Sequence, residues 1–186
     1  QSGLRFPILA VKPDTFSTAM ALRELDVRVG PGDDDKIYAA GALQSLVDTA
    51  ERYPGTIVYR GHSSLLLRDP VTGRRPRATK EPSLWNLPVG AGGILYPPGS
   101  LAADVTDSEL FLTLSPYADD LWFKAMALLK RTLAVPANPP GGEDHSVFFR
   151  WKESLSYQNM TLAKQREQNE ATFRHYGIVI GENPGD

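Results

Sequence analysis

The chain has 186 residues, 41% of them apolar and 23% charged, with a formal net charge of −2. These values fit one soluble globular domain with a substantial core, and they give no general pull toward nucleic acid or an anionic membrane. The absence of cysteine excludes disulfides and thiolate metal sites and fits a reducing compartment, and no apolar run reaches the roughly 18 residues of a membrane span.

The N-terminus lacks a signal-peptide layout, and Gln1-Ser2-Gly3 resembles the remnant of a cleaved tag, so the single domain is taken as residues 4–186. Arg5 to Val11 reads as a short buried strand, Thr15 to Glu24 as a helix, and Asp26 to Val29 as an alternating strand stopped by Gly30-Pro31-Gly32. Gly41 to Tyr53 has the apolar spacing of an amphipathic helix, with Leu43, Leu46, Val47 and Ala50 in phase and Pro54-Gly55 as its stop. Thr56 to Tyr59 is a β-branched and aromatic strand. Helix followed by strand predicts an α/β domain with a mixed or parallel sheet.

Arg60 to Lys80 carries six cations against one acid, Asp69, and reads as a hairpin or long loop. It is either a solvated basic turn or a contact for phosphate or acceptor. Pro88 to Pro98 holds Gly90, Gly92 and Gly93, which permit close backbone approach, yet the spacing is neither a dinucleotide fingerprint nor a P-loop. A tight turn before a strand explains it equally well. Thr106-Asp107-Ser108-Glu109 fits a capping box for a helix running to Leu114. Ser115-Pro116 then reads as the start of a helix to Arg131 that buries Leu121, Trp122, Ala125, Met126, Leu128 and Leu129. Ala137 to Glu143 is a breaker-rich loop, and a polar surface helix spans Ser154 to Tyr176, closed by Gly177.

Three groups bear on chemistry. Asp33 and Asp35 project to one side of an extended segment and Asp34 to the other, which suits a hard cation holding a diphosphate. An acidic turn before a helix is the competing reading. Asp119 and Asp120 either stabilise a helix N-terminus or act as a general base toward a hydroxyl, with Trp122 behind them as a site wall or core filler. His145 is either a late metal ligand or a surface histidine, and the chain holds no hydrolase motif.

Taken in order, Asp33-Asp34-Asp35-Lys36-Ile37-Tyr38, Ile57-Val58-Tyr59-Arg60, Gly92-Gly93-Ile94-Leu95-Tyr96-Pro97-Pro98 and Ala118-Asp119-Asp120-Leu121-Trp122 resemble the motifs of a bacterial family of GT-A-fold glycosyltransferases. The resemblance covers roughly Leu25 to Leu133. It implies a GT-A-like (Rossmann-like) mixed sheet flanked by helices. Asp33 and Asp35 would be DxD-type ligands of Mn²⁺ or Mg²⁺ on a nucleotide-sugar diphosphate, with His145 a further ligand. Asp120, or else Asp119, would be the base of an inverting displacement. Asp34, Arg60, Gly92, Gly93, Tyr96 and Trp122 would contact donor or acceptor.

Family members carry an earlier strand–helix–strand segment that grips the nucleotide base, and this sequence starts after it. The expectation is therefore an N-terminally shortened domain, with a partner chain or oligomer as one way to complete the donor site. The implied activity is transfer to a glycan acceptor in cell-surface polysaccharide synthesis, in the cytoplasm or peripheral to the inner face of the membrane. Two alternatives stand beside it: a degenerate, non-catalytic module binding glycan or a partner protein, and a different metal-dependent phosphate-handling enzyme.

Overall fold

The computed structural model describes residues 8–9, 36–37, 41–63, 78–137, 145–146 and 162–179. In chain order they form strands β1 (Ile8–Leu9) and β2 (Lys36–Ile37), helix α1 (Ala42–Arg52), strands β3 (Ile57–Ser63) and β4 (Leu87–Leu95), and a 3₁₀ turn (Ala103–Thr106). Helices α2 (Ser108–Leu114) and α3 (Asp119–Leu129), strands β5 (Ala134–Pro136) and β6 (His145–Ser146), and helix α4 (Leu162–His175) complete them. The protein is mixed α/β, as the sequence predicts. The stretches Thr15 to Glu24 and Asp26 to Val29 lie outside the described residues.

One sheet runs in the order β1-β4-β3-β5. β4 pairs antiparallel with both β1 and β3, whereas β3 pairs parallel with β5. The basic stretch after Arg60 therefore joins two antiparallel neighbours. Period-two alternation along β3 divides the core between the two sheet faces. Val58 turns to one face, packing with Leu95 and Val135 against Leu46 and Ala50 of α1. Ile57 and Tyr59 turn to the other, packing with Ile94 and Tyr96 against Trp122, Phe123 and Met126 of α3. Each fully buried large apolar side chain contributes about 1.5–3 kcal/mol.

Helix α1 matches its sequence reading closely. Gly41 sits at its N-cap with φ 87°, Tyr53 follows its last turn, and Gly55 at φ 76° turns the chain into β3. The next two boundaries differ from expectation. The cap of α2 is Asp107 rather than Thr106, its carboxylate accepting from the Leu110 N–H at 2.9 Å. Helix α3 begins at Asp119, not after Ser115. Ser115 is instead buried, its hydroxyl 2.7 Å from that of Thr172 on α4. The chain thus turns sharply between α2 and α3, and α3 starts without a side-chain cap.

Helix α3 is buried almost all round, from Leu121 through Ala127. Helix α4 is polar in sequence yet not a free surface helix. Gln168, Asn169, Thr172 and Phe173 are buried, and the Gln168 carbonyl oxygen accepts from the Tyr117 N–H at 2.9 Å. Side-chain hydrogen bonds of Gln168 and Thr172 take the place of an apolar stripe. Gly177 closes α4 at φ 63°, with the Ile178 N–H reaching back to the Phe173 carbonyl at 2.8 Å. Among the described residues no helix is long and apolar enough to cross a membrane.

Candidate functional site

The site forms where the N-terminal turn of α3 meets the middle of β4. Between Tyr59 and Gly61 of β3 the partner positions on β4 jump from Ile94 back to Val89. Gly90, Ala91, Gly92 and Gly93 stand between those positions where β3 has Arg60 alone, three residues in excess, a bulge inside the strand rather than a turn before it. Bulges of this kind occur next to binding sites because they redirect the chain. Two groups fix the bulge. Gly93 takes φ 87°, a conformation that favours glycine, and the Gly90 N–H donates to the Asp120 carboxylate at 2.9 Å.

The first turn of α3 carries Asp119 and Asp120, where the helix dipole favours negative charge. Burial pushes the Asp119 carboxyl above its usual range, while backbone N–H groups of Asp120 and Asp119 pull it back down. Tyr96 closes the arrangement from the end of β4. Burial, and then the charges of Asp120 and Asp119, push its phenol well above its usual range, so it stays a neutral hydroxyl. Tyr96, Asp120 and Lys124 line one narrow crevice, walled otherwise by apolar side chains including Ile57, Pro88 and Phe123.

Of the residues singled out in the sequence, Asp119, Asp120 and Tyr96 come together. Gly92 and Gly93 belong to the bulge beside them, although a side chain built at Gly93 would meet Leu46 of α1, on the opposite face of the sheet. Arg60 is half-buried at the register shift of β3. Trp122 is a core residue, 1% exposed, its indole N–H donating to the Val105 carbonyl at 3.2 Å and its rings packed near Phe111 and Tyr176. It fills the core and does not line the crevice.

Asp33, Asp34 and Asp35 lie outside the described residues. The strand that follows them is described: β2 pairs antiparallel with β6, Ile37 opposite His145. The backbone of His145 thus runs beside the segment that directly follows Asp35 in sequence. Among the described residues no group of three or more His, Cys, Asp or Glu side chains is arranged to hold a metal ion.

Lys124 was not picked out from the sequence, and Gly90 was noted only as one of several glycines permitting close backbone approach. Gly90 acts through its backbone N–H, which no side-chain pattern reveals. Lys124 stands in the apolar run Leu121–Leu129, three residues after Leu121 and four before Leu128. That phase is the available signal, because a cation on the buried stripe of a helix requires a reason. Compared with models of known protein families, with curated proteins and with solved structures, the chain matches none of them.

Proposed function

We propose that the chain is a metal-dependent glycosyltransferase of GT-A type, moving a sugar from a nucleotide-sugar donor to a glycan acceptor with inversion. The observation that carries this reading is that Tyr96 and Asp120 line one crevice, with the Asp120 carboxylate held by the Gly90 N–H. Two motifs of the resemblance, Gly92 to Pro98 and Ala118 to Trp122, converge there through Tyr96 and Asp120. A carboxylate tied to a backbone N–H is held in one orientation, which a general base requires. The Asp120 carboxylate is the group suited to accept a proton from an acceptor hydroxyl. The neutral Tyr96 phenol supplies a hydroxyl beside it, capable of both giving and taking a hydrogen bond.

In this reading Asp33 and Asp35, with His145 from the paired strand, hold Mn²⁺ or Mg²⁺. The metal, when bound, offsets the charge that builds on the departing diphosphate. Arg60, Gly92 and Gly93 border the donor or acceptor, and Asp34 stands among the donor-binding residues. The acceptor belongs to a cell-surface polysaccharide made at the cytoplasmic side of the membrane.

Calorimetric titration with UDP- and GDP-sugars, with and without Mn²⁺, tests the assignment. Binding that requires Mn²⁺ and disappears in the Asp33→Asn, Asp35→Asn double variant supports it. Nucleotide binding that ignores both metal and substitutions removes the metal from the account.

A further inference from the structure

Lys124 lies at the centre of the buried run of α3, with 2% of its surface exposed. Its Nζ is sealed from solvent and has no hydrogen-bond partner. It lines the same crevice as Tyr96 and Asp120, and the crevice has no room for a water molecule that might solvate it. Desolvating an ammonium without a partner is so unfavourable that the group gives up its proton instead. What remains is a neutral amine with a lone pair, which is a hydrogen-bond acceptor and a base. Lys124 follows Asp120 by one helical turn, so both side chains leave the same face of α3.

We propose that Lys124 is the proton acceptor behind Asp120 in this pocket, taking on the proton that the Asp120 carboxylate removes from an acceptor hydroxyl. The proposal rests on the glycosyl-transfer reading above. In the step, the hydroxyl O–H bond breaks and its proton passes by way of Asp120 to a new N–H bond on Lys124. The oxygen's electron pair makes the bond to the anomeric carbon of the nucleotide sugar. The bond from that carbon to the diphosphate breaks, and its electrons leave with the diphosphate. The ammonium returns its proton to solvent as the product departs. Burial lowers the Lys124 amine to about 7, and a base works best when its pKa lies near the working pH. Of the charged and titratable groups on the surrounding elements, Asp120 and Tyr96 line the crevice with Lys124, whereas Asp119 of α3 and Tyr59 and Arg60 of β3 do not. Strand β5 contributes no titratable group.

Two readouts on the full chain test this. The first is the titration of Lys124 itself, followed by NMR of ¹³C-labelled lysine and assigned by the signal lost in Lys124→Met. The expected midpoint is near neutral, and an ordinary lysine midpoint of about 10.4 overturns the proposal. The second is the pH dependence of kcat/KM with a nucleotide sugar and Mn²⁺. Activity is expected to fall as pH drops through about 7, with Lys124→Met losing about 100-fold in kcat. Lys124→Arg is expected to lose as much, because its cation cannot accept a proton. Transfer that survives in Lys124→Met within about threefold, or is rescued by arginine, overturns the proposal while leaving the glycosyl-transfer reading intact. A chain that transfers no sugar from any donor overturns both, so the two failures are distinguishable.

Discussion

The Asp120 carboxylate accepts a hydrogen bond from the Gly90 N–H at 2.9 Å, and this contact joins the start of α3 to the bulge in β4. It gives Asp120 a structural duty alongside any chemical one. The two duties separate in the amide variant. Asparagine keeps an oxygen that can accept from Gly90 but lacks the negative charge, so Asp120→Asn should fold with a stability loss below about 1 kcal/mol. Asp120→Ala leaves the part-buried Gly90 N–H without this partner and should cost about 1 kcal/mol. Both should reduce transfer by about 10²–10⁴-fold, measured beside urea unfolding of each variant.

Lys124 predicts an unusual pH dependence of stability. Its pKa falls from the ordinary lysine value of 10.5 in the unfolded chain to about 7 in the folded protein. Between those values the unfolded chain binds more protons than the folded one, so stability rises with pH across that window. Below about 7 both states are protonated and the full penalty, on the order of 5 kcal/mol, is present. Lys124→Met should abolish the slope and raise stability at neutral pH. Denaturant melts at several pH values between about 6 and 10 check this, and a flat wild-type profile contradicts it.

Gly93 tests the bulge. A Cβ built there comes no closer than 3.5 Å to Leu46, an ordinary contact, while the backbone takes φ 87°. Gly93→Ala should therefore cost about 1 kcal/mol through backbone strain rather than collision. A smaller neighbour at Leu46 should not relieve it, and a double variant with Leu46→Ala would expose any hidden clash as non-additivity.

Trp122 tests the division between core and site. Its ring is 1% exposed and packed near Phe111 and Tyr176. Trp122→Ala should cost about 3–5 kcal/mol. Trp122→Phe, which keeps most of the volume but loses the bond to Val105, should cost less and leave sugar binding at wild-type affinity. Weakened binding in that folded variant would return Trp122 to the site.

The parts of the fold most legible in the sequence were those written by local rules. Helix α1 carries in-phase apolar residues and a glycine at each boundary, and it lies where the pattern puts it. The β-branched run at Ile57 makes the central strand for the same reason. Pattern misplaced the elements whose partners are distant in sequence. Ser115 carries the local signature of a helix cap, but its hydroxyl is drawn to Thr172, fifty-seven residues away. The polar sequence of α4 suggested exposure because hydrogen bonds through Gln168 and Thr172 leave no apolar stripe. Asp119 and Asp120, singled out by type, and Tyr96, singled out by the resemblance, come together in the structure, whereas Trp122, which lies beside them in sequence, is packed in the core. The part played by Gly90 and Lys124 escaped notice because one acts through its backbone and the other through the absence of a partner.

The central claim is that the crevice between Tyr96 and Asp120 supports sugar transfer. The most direct measurement is release of nucleoside diphosphate from a panel of UDP- and GDP-sugars with Mn²⁺ and a glycan acceptor, run on wild type and on Asp120→Asn. The account predicts acceptor-dependent release by the wild type that drops by about 10²-fold or more in the folded variant. Release that is independent of acceptor, or equal in the two proteins, would contradict it.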